Sequence, residues 1–120
     1  MARTDITPLT IPTRWATTPL EITPVAADVG NGNSFTLSGD EILITYNSSA
    51  DTDYYVTIDS VADTFGRESH ITQFDIPFGD YYAFPRFAVE GWIQSDGKLY
   101  IDCENAAILL MVIRLPAGSN

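Results

Sequence analysis

The sequence predicts an all-β fold: an antiparallel β-sandwich of jelly-roll type, preceded by an extended N-terminal arm. Three observations carry this. From Ser34 onward, apolar and β-branched runs are interrupted by Gly, Asp, Asn and Ser at roughly ten-residue intervals, the spacing of short strands and turns. No stretch keeps the i, i+3, i+4 apolar spacing of a helix long enough to compete. The six Tyr, six Phe and two Trp suit pleated faces, where flat rings cover neighbouring strands.

Residues 1–32 read as the arm and residues 33–120 as the sandwich, one domain in 120 residues. The arm holds four of the seven prolines, Pro8, Pro12, Pro19 and Pro24. Proline removes a ladder donor and favours extended backbone. Apolar residues nevertheless recur at Ile6, Leu9, Ile11, Trp15, Leu20, Ile22 and Val25, more than a disordered tail carries. The arm therefore lies on a surface, with an edge strand near Leu20–Val25. That surface belongs either to the same chain or to a neighbouring subunit.

The body opens with a strand at Ser34–Leu37 and a turn at Ser38-Gly39-Asp40. A strand follows over Glu41–Asn47, then a polar loop to Asp53. Tyr54–Asp59 alternates, with Tyr54, Val56 and Ile58 on one face. A long connection, Ser60–Ser69, contains Gly66-Arg67. His70–Ile76 is a strand, and Pro77-Phe78-Gly79-Asp80 is a tight turn. Tyr81–Val89 is aromatic and broken at Pro85. Gly91-Trp92-Ile93-Gln94 leads into Ser95-Asp96-Gly97, an Asp-Gly hairpin signal, and Lys98–Cys103 returns. Ala106–Leu115 is nearly all apolar, as a strand covered on both faces would be.

Charge narrows the function. Sixteen Asp and Glu face six Lys and Arg, a net charge of −10. Nucleic-acid binders need a basic footprint, and anionic membranes attract basic segments, so neither partner is expected. The charge suits solubility or a basic patch on a protein partner. The single cysteine, Cys103, reads as a small buried hydrophobe. His70 has no spacing relation to it that would make a catalytic pair. Asp51-Thr52-Asp53 begins like a calcium loop, but Val56 and Ala62 occupy the positions that need Gly and Glu. No metal or other cofactor is expected. The longest apolar run is too short to span a bilayer, and the N-terminus has no secretory signal pattern. The rings of Tyr54, Tyr55, Tyr81, Tyr82, Phe84, Phe87 and Trp92 either pack the core or form a sugar-stacking platform, and alternation places at least one of each neighbouring pair inward.

Two stretches and the closing residues resemble a known group. One is Ile58–Arg67, with Asp63, Gly66 and Arg67. The second is Phe87–Ile101, with Gly91, Trp92, Asp96 and Gly97. The third is Val112-Ile113-Arg114-Leu115-Pro116. Together they resemble head decoration (auxiliary, or cement) proteins of tailed bacteriophages. The resemblance implies a virion structural protein, not an enzyme, made in the host cytoplasm and mounted on the capsid exterior. It implies two partners, the major capsid protein and further copies of the chain as a homotrimer, and it carries no catalytic residue across. On this reading Arg3, Ile6, Leu9, Ile11 and Trp15 of the arm grip the lattice, so loss of residues 1–18 abolishes attachment and leaves the domain folded. The alternative is a carbohydrate- or receptor-binding sandwich of a virion.

Overall fold

The computed structural model describes residues 3–11, 21–60, 71–84, 87 and 89–115. Among them the elements run β1 (Thr4–Asp5), β2 (Leu9–Thr10), β3 (Val25–Ala26), β4 (Asn33–Thr36), β5 (Glu41–Asn47), β6 (Tyr54–Ile58), β7 (Ile71–Ile76), β8 (Tyr81–Phe84), α1 (Val89–Trp92), β9 (Lys98–Cys103) and β10 (Ile108–Arg114). One sheet has the order β1-β4-β9-β6-β7. The other has the order β2-β10-β5-β8, with β3 also on β10. Every pair among β4 to β10 is antiparallel, as is β3 with β10. Both sheets are mixed all the same, because β1 runs parallel to β4 and β2 parallel to β10. The departure from an antiparallel sandwich thus comes wholly from the leader.

Alternation explains the core. In β5 the buried residues are Glu41, Leu43, Thr45 and Asn47; in β10 they are Ile108, Leu110 and Val112. Phe35, Val56, Ile58, Ile76, Leu99 and Ile101 face them from the other sheet, all fully buried. Each such side chain contributes about 1.5–3 kcal/mol relative to exposure. The opposite face of β10 (Leu109, Met111, Ile113) is half-buried, so β10 alternates where continuous coverage was expected.

Glu41 and Asn47, two of the three buried polar residues on β5, are tolerated because they are hydrogen-bonded. Glu41 accepts hydrogen bonds from Ser38 N (2.8 Å), Ser38 Oγ (2.6 Å) and Gly39 N (3.2 Å), and pairs with Arg114 Nε. Asn47 Nδ2 donates to the carbonyl oxygens of Ile76 (2.8 Å) and Thr52 (2.9 Å), tying β5 to β7 and to the loop before β6. These bonds remove the penalty that unpaired buried polar atoms carry.

One segment differs from its sequence reading. The residues before the Asp96-Gly97 turn form a helical turn, α1, where a strand was expected. Ile93 N donates to Val89 O (3.1 Å), and Gly91 has a φ of 102°. Four residues with a left-handed glycine among them carry no period that sequence could reveal.

Candidate functional site

The sandwich has two long sides, and they differ. On one, the leader closes both sheets: β1 covers the outer edge of β4, while β2 and β3 cover that of β10. Ile6 is 3 % exposed and sits in the core, its N–H donating to Ser34 O (2.7 Å). Leu9 lies opposite Ile113, and Ile11 N donates to Arg114 O (2.8 Å). The half-buried Arg3 is bidentate to Asp102 (2.9 and 3.3 Å), donates to Ile101 O (3.2 Å) and lies over the Tyr100 ring (4.2 Å). Arg3 passes close over Gly32. A Cβ there would collide with the guanidinium and lie 2.6 Å from Asp102 Oδ1, and the φ of 80° already favours glycine.

Ionic bonds reinforce this side. Lys98 Nζ donates to Asp5 (2.7 Å), and so does Ser34 Oγ (2.6 Å). These two bonds hold the Asp5 carboxyl below its usual range, and Asp5 in turn raises Lys98. The Thr4 hydroxyl and the Asn31 N–H bonds lower Asp28. Burial alone would raise Glu41, but the Ser38 hydroxyl, the Ser38 N–H and Arg114 outweigh it and leave its carboxyl lowered.

Of the two surfaces the arm could lie on, the described arm residues take that of their own chain. Arg3, Ile6, Leu9 and Ile11 pack on their own chain, and Ile6 is part of its core. β1 and β2 are edge strands of the two sheets. Trp15, with Asp63, Gly66 and Arg67 of the long connection, lies outside the described residues. Of the other motif residues, Gly97 takes a φ of 83° at the turn. Asp96 braces that turn by accepting from Lys98 N (3.2 Å) and the Tyr100 hydroxyl (2.8 Å). Trp92 packs edge-on to Phe87, 4.8 Å between centroids. Gly91, Trp92, Asp96 and Gly97 therefore shape a structural corner and do not converge on a site.

Among the described residues, no strand covers the opposite side. Its edges are β7 in one sheet and β8 in the other, and rings line the gap. Phe74 meets Tyr82 edge-on (5.4 Å) and Phe84 likewise (5.7 Å), and Phe84 leads inward to Phe87. Tyr81 stacks on Tyr46 (4.1 Å) on the outer face. Phe74, Phe78, Tyr81 and Tyr82 are 40, 49, 64 and 37 % exposed. Both members of the Tyr81-Tyr82 pair therefore reach solvent, where alternation had placed one inward. Tyr82 does face inward, but on an edge strand that face is only half covered. Sequence gave no sign of this, because it depends on which strands end the sheets.

The two edges are guarded unequally. β7 is bent by a register shift against β6, where Gln73 adopts a φ of 50° and donates its N–H to Thr57 Oγ1 (3.1 Å). It also carries Asp75. A bulge and a charge are two ways of blunting an edge. β8 carries neither between Tyr81 and Phe84.

Among the described residues, no three His, Cys, Asp or Glu come together as a metal-ligating group. Cys103 is buried, and desolvation, helped by Asp102, pushes its thiol up to about 12. It is therefore a packing residue, because nucleophilic chemistry needs the thiolate. No protein-family model, curated protein or solved structure matches this chain.

Proposed function

We propose that this chain is a non-enzymatic structural protein of a virion that attaches to the capsid exterior and stabilises the lattice, as head decoration proteins do. The observation that carries this reading is the asymmetry of the sandwich. One side is covered by strands of the chain's own leader, and on the other no described strand lies beyond the ring-lined edges of β7 and β8. A surface of exposed rings beside unpaired strand edges is chemistry for attachment. We further propose that the sandwich is a jelly roll. Supporting this, successive strands from β4 to β10 change sheets at every step except β6 to β7, and the orders are β4-β9-β6-β7 and β3-β10-β5-β8. Jelly rolls build viral capsid proteins and lectins alike. The resemblance of the Phe87–Ile101 segment to decoration proteins favours the first.

Weak contacts repeated over a lattice reach high avidity, so each copy needs only a modest interface. The acidic charge complements a basic capsid surface, and self-association as a trimer matches local three-fold positions. The test is co-sedimentation of the purified protein with heads that lack it. Saturable binding at a fixed ratio to the major capsid protein is expected, and absence of the protein from the pellet at micromolar concentration refutes the reading. A second reading, a carbohydrate- or receptor-binding module, draws on the exposure of Tyr81 and Tyr82. It predicts glycan-array signals that a Tyr81→Ala variant loses.

A further inference from the structure

We propose that the outer edge of β8 is a strand-acceptor site for an extended, cationic segment of a partner protein. The proposal rests on the attachment reading only for the partner's identity, and it names the surface and the chemistry.

The argument starts from backbone direction. Gly79, at a φ of 79°, donates its N–H to Asn47 O (2.9 Å), and Asn47 N donates to Asp80 O (3.1 Å). This pair of bonds at the turn sets the phase of β8. In an antiparallel ladder, alternate residues turn both backbone groups to the same neighbour. The Asp80 carbonyl points at β5, and Tyr82 does so too, its carbonyl accepting from Thr45 Oγ1 (3.2 Å). Tyr81 and Ala83, which lie opposite Tyr46 and Ile44, therefore turn their N–H and C=O groups away from β5. No described strand lies on that side. These four polar groups thus have no partner strand among the described residues, and their spacing is the one an incoming strand matches.

Side chains define what fits. A strand laid along β8 sends alternate residues to its two faces. On the inner side they meet Phe74 and Tyr82, which are exposed and ring-bonded to each other; on the outer side they meet Tyr81. An apolar side chain suits the inner position. Charge sets the remainder. Asp75 lies on β7, on the face opposite Phe74, and Asp80 immediately precedes β8, so both edge strands carry negative charge. The described cations, Arg3, Lys98 and Arg114, are all engaged with Asp102, Asp5 and Glu41 on or near the leader side. A second copy of this acidic chain would bring further negative charge to that edge. A Lys- or Arg-bearing strand would neutralise it.

The test uses two synthetic peptides, an alternating Lys-Val-Thr-Val-Thr-Lys segment and its counterpart with Glu for Lys, with the full-length protein. The Lys peptide is expected to bind, to slow amide exchange at Tyr81 and Ala83, and to bind at least tenfold more tightly than the Glu peptide. Ala83→Pro removes one outward N–H and leaves the β5 ladder intact, since proline is accepted on an edge strand whose N–H faces solvent. This variant should keep the parent melting temperature within a few degrees and lose at least tenfold in peptide affinity. Undiminished binding by Ala83→Pro, no binding of the Lys peptide at millimolar concentration, or protection at Tyr81 and Ala83 that rises with protein concentration alone (self-pairing) overturns the proposal. Co-sedimentation of Ala83→Pro with heads keeps the two readings apart. If the wild type fails to pellet, the capsid role falls while the peptide data still judge the edge. If both pellet equally, the edge is not the capsid contact, and the capsid protein is ruled out as the strand's source while the peptide data judge the edge.

Discussion

At the scale of single residues, the Glu41–Arg114 pair carries the most consequence. Glu41 is fully buried at the start of β5, and Arg114 reaches it from the end of β10. Arg114→Ala would leave a buried carboxylate held only by the Ser38 turn. Breaking one partner from such a pair costs about 3 kcal/mol, readable as a lower urea midpoint with an unchanged slope. The pH dependence follows from the sign of the shifts. Glu41, Asp5 and Asp28 are all lowered in the folded chain. Their contribution is complete above the unfolded values of 4.5 for Glu and 3.8 for Asp, and it disappears as pH falls through the folded values. Thermal melts should therefore be flat from neutrality to about pH 5 and fall steeply below. Glu41→Gln should flatten part of that acid limb, and an unchanged limb would show that the carboxylate plays no part.

At the scale of elements, the leader decides whether the sandwich is closed. β1, β2 and β3 are two residues each, too short to hold a period of their own. Their strand character comes from the edges they join. Sequence could show apolar residues in a Pro/Thr-rich stretch, but not which edge would claim them, because that pairing spans the length of the chain. β5, β6, β9 and β10 were legible for the opposite reason. β5, β6 and β9 alternate over five to seven residues, and β10 is a continuous apolar run; both patterns are local. The side bounded by β7 and β8 was not legible at all. Phe74 and Tyr82 meet only because β7 and β8 end their sheets on the same flank, a property of strand order. The leader's role yields a direct expectation. Ile6→Ala removes buried methylenes from the core and should destabilise by about 2–4 kcal/mol. Deleting residues 1–11 should cost more, exposing the β4 and β10 edges and producing aggregation visible by light scattering. A truncated chain that melts like the parent would show that the leader is dispensable to the fold.

At the scale of the whole molecule, charge and shape act together. The net charge is −10, and the described positive charges are neutralised by carboxylates of the same chain. Among the described residues, the flank of β7 and β8 carries exposed rings with Asp75 and Asp80. Long-range attraction of this kind acts mainly on the encounter rate, while apolar contact and ladder bonds set how long the complex lasts. Salt should separate the two. Raising ionic strength from about 0.01 to 0.15 M shrinks the screening length from about 30 to 8 Å. Association with heads should slow at least tenfold over that range, with little change in the dissociation rate. Asp75→Asn with Asp80→Asn should reproduce the slow association at low salt without altering the thermal melt. Stopped-flow or surface-binding kinetics would read both rates, and a salt effect confined to dissociation would place the decisive charges elsewhere than on the flank of β7 and β8.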